Sequence, residues 1–100
     1  MVKILTLQEA QSKALFLKKQ KKTIVLVGGC FDILHIGHVR FLQQAKKTAD
    51  VLMVFLENDS KVKQIKGENR PFFNQRERAC MLVSLISVDY VVLLPYITIN

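Results

Sequence analysis

The run Val51-Leu52-Met53-Val54-Phe55-Leu56 carries six apolar side chains in succession, with no polar residue at alternate positions. A strand wetted on one face alternates, whereas an unbroken apolar run belongs where both faces are covered. Thr23-Ile24-Val25-Leu26-Val27 has the same character, and Tyr90 to Leu94 is a third, shorter run closed by Pro95. Stretches with helical spacing separate them. Leu7 to Lys19 carries Leu7, Ala10, Ala14, Leu15 and Leu17, with Thr6 placed as an N-cap. From His35 to about Ala49, residues Ile36, Val39, Leu42, Ala45 and Ala49 recur at three- and four-residue steps. Asn74 to about Ser87 opens on Asn74 and Glu77, a capping-box spacing. Glu57 to Pro71 shows no clear periodicity and reads as a long connection. Strands alternating with helices predict a single α/β domain with a Rossmann-like three-layer α/β/α arrangement. Its sheet is expected to be parallel, with three strands and right-handed crossovers.

One hundred residues suffice for one compact domain, and the half that are apolar, against 23% charged, exclude a disordered chain. Fifteen Lys and Arg against eight Asp and Glu leave a formal charge of +7. That balance favours anionic ligands. Nucleic acid is not expected among them, because the lysines are not interleaved with stacking aromatics, and Phe55 and Tyr90 fall in the expected strands. Lys18, Lys19, Lys21 and Lys22 fit a solvated helix end, where cations complement the dipole. Cys30 and Cys80 lie far apart, with no CxxC and no zinc-like spacing, which suggests a reducing compartment. The N-terminus lacks the long apolar core of a signal peptide, and no run is long enough to span a bilayer. A cytoplasmic protein with no membrane partner is the expectation.

The most specific stretch is Gly28 to Phe41, GGCFDILHIGHVRF. It follows the first strand and opens the second helix, and such a turn offers backbone N–H groups and a positive helix end to an anion. His35 and His38 are three positions apart, so on a helix they share a face and can address one phosphate. Imidazole suits that task as a compact donor that titrates near neutral pH. Gly37 between them permits a close backbone approach. Asp32 is equally compatible with a turn-capping role, and Lys63 and Lys66 with solvated loop charges. Arg78 can also be read as pairing with a helix neighbour, and Cys30 as structural.

Taken together, these residues resemble the cytidylyltransferase-like nucleotidyltransferase superfamily, whose signature is the "HIGH" motif. Within it the chain looks most like the nucleotidyltransferase domain of ADP-heptose synthases and the glycerol-3-phosphate cytidylyltransferases. The resemblance runs from Ile24 to about Leu94. It rests on Gly29-Cys30-Phe31-Asp32 with His35-x-Gly37-His38, then Asn58-Asp59-Ser60, then Lys63-x-x-Lys66-Gly67-x-x-Arg70-Pro71. Arg78 and Val88-Asp89 complete it.

The resemblance implies transfer of CMP or AMP from CTP or ATP to a sugar or polyol phosphate, with release of pyrophosphate and with Mg2+ accompanying the nucleotide. It makes His35 and His38 the transition-state donors, and Gly29, Cys30 and Phe31 the lining of the triphosphate and base pocket through their backbone. It has Asp32 orient the turn or help with the metal, and Lys63 or Lys66 close over the phosphates, Lys66 as a catalytic residue. Arg78 is then expected to hold the second substrate or the triphosphate. The family's domain continues with further strands and a Ser/Thr-rich basic segment that nothing after Pro95 matches. A sheet truncated after the third strand, with the first strand's edge uncovered, is therefore expected. A homodimer would be one way to cover that edge. The alternative is a nucleotide-binding or interaction module without turnover.

Overall fold

In the computed structural model, which describes residues 3–96, the chain forms four strands and four helices. They run β1 (Ile4–Thr6), α1 (Leu7–Lys19), β2 (Ile24–Gly29), α2 (Ile36–Lys46), β3 (Val51–Leu56), α3 (Asp59–Lys66), α4 (Gln75–Val83) and β4 (Tyr90–Leu93). The strands make one parallel sheet in the order β1-β4-β3-β2. The expected Rossmann-like three-layer α/β architecture is the one observed.

Period-two alternation on the central strand divides the core. Leu52, Val54 and Leu56 of β3 face a cluster with Leu42 of α2 and with Ala79 and Leu82 of α4. Val51 and Met53 pack instead with Leu17 of α1, while Val92 of β4 meets Leu5 and Ala10. All six β3 side chains thus have a helical layer over them, which is why the run needs no polar alternation. Helix α1 begins where Thr6 and Glu9 exchange a capping box, with Glu9 N to Thr6 Oγ1 at 3.1 Å and Thr6 N to Glu9 Oε1 at 2.8 Å. Helix α4 begins on the same device between Asn74 and Glu77.

Three expectations are corrected. The sheet has four strands, because Ile4–Thr6 pairs with Val91–Leu93 ahead of the first helix. The segment Glu57–Pro71 is not structureless: α3 occupies its first half, capped by Asn58 Oδ1 accepting from Lys61 N at 2.8 Å. Strand β2 is not covered on both faces. It is an edge strand among the described residues, and its Leu26 is 57% exposed. An uncovered edge on this strand matches the expectation for its outer side. The open reading of residues 97–100 as strand or tail lies outside the described residues.

The same topology brings the carboxyl ends of β2 and β3 together with the start of α2 and the end of α3. Crevices outside strand carboxyl ends are where open α/β sheets bind ligands.

Candidate functional site

Strand β2 ends at Gly29, and of the six residues that lead to α2 the first four, Cys30 to Ile33, line a cleft of about 420 Å³, whereas Leu34 and His35 lie outside its lining. Gly29 of β2 and His38 of α2 line it beside this turn, and Lys66 and Arg70 join them in the lining. The turn is tightly determined. Phe31 has φ of 47°, in the left-handed region that non-glycine residues rarely occupy. Its ring is 7% exposed and packs into the core cluster of β3, α2 and α4, which holds the backbone there. A side chain at position 29 would obstruct that ring, since a Cβ on Gly29 would stand 2.9 Å from Phe31 Cε2.

Asp32 is 3% exposed and fully partnered. Its carboxylate accepts from Arg70 Nε at 2.5 Å, from Phe72 N at 2.9 Å and from Phe73 N at 3.2 Å. Burial pushes this carboxyl up, but the Arg70 hydrogen bond and charge and the two backbone donors outweigh it and hold the group below the ordinary range. Of its two expected roles, orienting the turn is the one these contacts serve. Asp32 staples the β2–α2 turn to the 70–73 loop.

The two histidines meet at the start of α2. His35 is the N-cap, and its Nδ1 accepts from Gly37 N at 3.0 Å. His38 Nδ1 accepts from His35 N at 3.2 Å, and the two ring centroids are 4.0 Å apart. With both Nδ1 atoms engaged as acceptors, the hydrogen-bond network assigns each neutral ring's proton to Nε2. Each imidazole therefore keeps one donor available to a ligand. Burial lowers the His38 pKa, and the charges of His35 and Lys66 lower it further, which favours the neutral ring. Gly37 permits a close approach, as anticipated, but to His35: a Cβ there would lie 2.7 Å from His35 Cε1.

The remaining expected residues divide. Lys66 lines the cleft and acts on His38 by its charge. Lys63, three residues earlier on α3, pairs with Glu68 at 3.2 Å and is not on the cleft wall. Arg78 departs from expectation. It has no exposed surface, and its guanidinium donates to Phe73 O (3.0 Å), Cys30 O (2.7 Å) and Asp59 Oδ1 (2.6 Å). All three nitrogens are engaged and the side chain is fully buried, so no face of it is open to a substrate. Instead it ties the β2–α2 turn, the 70–73 loop and α3 into one unit, and Cys30 enters the site through that carbonyl.

Arg70 takes the place on the cleft wall that was expected of Arg78. The Arg70-Pro71 pair was visible in the motif, but its significance depends on Asp32, 38 positions earlier, a distance no local pattern bridges.

The donor set does not fit a protein-held Mg2+. Among the described residues no three His, Cys, Asp or Glu side chains gather as a metal cluster, and the cleft's one carboxylate has its oxygens engaged by Arg70, Phe72 and Phe73. A second cleft, of about 470 Å³, lies beside Leu7, Asn58, Lys61 and Tyr96. It is slightly larger, but it has no imidazole and balances Lys61 against Glu57. The smaller cleft, lined by Lys66, Arg70 and a neutral imidazole donor, is the better anion site. No helix among the described residues is long and apolar enough to cross a membrane.

Known proteins resemble this chain in sequence and fold. Residues 26–100 match the cytidylyltransferase-like family model. The chain is 51% identical over 90 residues to the bifunctional protein HldE of Aliarcobacter butzleri, covering 90% of this chain and 19% of that protein. It is 53% identical over 77 residues to the HldE of a Nitratiruptor species, covering 77% and 17%. The chain thus spans less than a fifth of the length of these relatives. Among solved structures, a lipopolysaccharide core biosynthesis protein from Thermoplasma volcanium matches with a TM-score of 0.64 and 32% identity, covering 75% of this chain and 59% of that one. The chain belongs to the cytidylyltransferase-like family.

Proposed function

We propose that this chain transfers a nucleotidyl group. A phosphate oxygen of a sugar or polyol phosphate attacks the α-phosphorus of ATP or CTP. The new P–O bond forms as the bond from the α-phosphorus to the oxygen bridging the β-phosphate breaks, and pyrophosphate leaves with that bridging oxygen. The protein forms no covalent bond in such a step, so its contribution is positioning and charge stabilisation.

The observation that carries this reading is the imidazole pair, with rings 4.0 Å apart and both Nδ1 atoms spent on backbone donors. That leaves two Nε2–H donors in a fixed relation at a helix start, beside Lys66. Donors held in place before reaction stabilise developing phosphoryl charge without reorganising. Similarity to the HldE proteins and to a lipopolysaccharide core biosynthesis protein supports a sugar phosphate as the acceptor. The triphosphate's own oxygens, and not this chain, are the ligands we assign to Mg2+.

The test is pyrophosphate release from ATP and from CTP against a panel of phosphorylated sugars and polyols. Acceptor-dependent release with at least one pairing is expected. His38→Ala should lower it on the order of 10²-fold while leaving the fold intact. Release under no pairing, with nucleotide still bound, would reduce the chain to a binding module.

A further inference from the structure

We infer that Arg70 is an anion-binding residue of the cleft, its guanidinium held by Asp32 and Phe72 so that the two Nη groups meet the phosphate chain of the ligand. The inference rests on the nucleotide reading above, and it adds a residue that neither the motif nor the imidazole pair assigns.

Three features of Arg70 argue for it. Only Nε is used by the fold, in the bond to Asp32, and among the described residues neither Nη atom has a protein partner. The guanidinium carbon lies over the Phe72 ring, 4.5 Å from its centroid, so the fork rests on an aromatic side chain that is itself exposed, at 58%. The side chain is 27% exposed and lines the same cleft as His38 and Lys66.

A purely structural role explains less. Asp32 already accepts from Phe72 N and Phe73 N, so the loop is stapled without the arginine. A planar fork with one edge anchored and the other open is the geometry that matches phosphate oxygens in a bidentate fashion, which an ammonium cannot reproduce. Arg78, the neighbouring arginine, has all three of its nitrogens engaged and shows what a structural arginine looks like in this fold.

Inorganic tripolyphosphate is the probe, because it needs no turnover. Calorimetric titration of Arg70→Gln is expected to show binding on the order of tenfold weaker than wild type, and Arg70→Lys to recover little of it. Arg70→Lys keeps a cation beside Asp32 and should melt close to wild type, whereas Arg70→Gln should melt lower, because the buried Asp32 loses its charge partner and keeps only its backbone donors. Unchanged affinity in Arg70→Gln, full affinity in Arg70→Lys, or no tripolyphosphate binding by the wild type would each overturn the inference. A second readout uses the unmodified protein. Phenylglyoxal should label Arg70, Arg40 and Arg76 but not buried Arg78, and tripolyphosphate should protect Arg70 alone; labelling of Arg70 unaffected by the anion would overturn the inference even if the variants fail to fold. Protection of Arg70 without pyrophosphate release would sink the transfer reaction and leave this site standing. Turnover with Arg70 unprotected would do the reverse.

Discussion

His38 titrates in a setting that disfavours its charged form. Burial is the largest cause, followed by the charges of His35 and Lys66. Its midpoint by NMR should therefore fall below the ordinary 6.5. Lys66→Met should move that midpoint upward, since a positive neighbour is lost, without restoring 6.5, since the burial remains. A midpoint at or above 6.5 in the wild type would contradict the neutral-donor account. Gly37 allows a second test. Alanine within a helix is normally favoured over glycine by about 1 kcal/mol, but here a Cβ would meet the His35 ring at 2.7 Å. Gly37→Ala should keep or raise the unfolding free energy in denaturant titration while weakening nucleotide binding; unweakened binding would show that the His35 ring position is unimportant. The pairing of the two histidines was legible in the sequence because their partners lie within three residues of them. The roles of the arginines were not. Arg78 is set by Asp59, Phe73 and Cys30, and Arg70 by Asp32, contacts that exist only once the chain has folded.

Among the elements, β3 could be read directly because its six apolar residues carry the whole signal. Helix α3 could not, because Val62 is its one buried residue and a single anchor makes no period. Its ends define it instead: Asn58 at the cap, Asp59 in the first turn, and Lys63 and Lys66 in the last. Asn58 also donates from Nδ2 to Pro95 O at 3.1 Å. Asn58→Ala should accordingly cost about 1–2 kcal/mol in denaturant unfolding. The end of α1 offers the opposite case. Lys21 has φ of 62° where the chain leaves the helix, with Lys22 N bonded to Leu17 O at 3.0 Å. Glycine is the usual residue at such a terminus, so Lys21→Gly should stabilise the protein by about 0.5–1 kcal/mol. Arg78→Ala should be the costliest of these changes, at roughly 3 kcal/mol or more, because it opens a cavity and strands the carbonyls of Cys30 and Phe73. Melting close to wild type would contradict its part in joining α3, α4 and the site turn.

In the molecule as a whole, the sheet and its two helical faces were predictable from alternating patterns, and the missing strand was the three-residue β1, too short to carry a pattern of its own. Its pairing with β4 is a long-range event that local propensity does not encode. The charge of +7 biases the domain toward anions, but the choice of the cleft at the β2–α2 turn over the one beside Asn58 and Lys61 depends on where imidazole and guanidinium groups converge. Acid should reveal the same groups through stability. The His38 and Asp32 values are both depressed by the fold, so each contributes stability that is complete above its ordinary value and is lost as pH falls through the folded one. Stability should therefore decline below about pH 6.5 and again below about pH 3.8, with His38→Ala removing the first step. The central claim is that nucleotide phosphates are handled at the β2–α2 turn. Amide NMR titration of the wild-type chain with ATP and CTP tests it most directly. The largest shifts should gather at Gly29 to His38, Lys66 and Arg70; shifts gathered around Asn58, Lys61 and Tyr96, or none with either nucleotide, would contradict it.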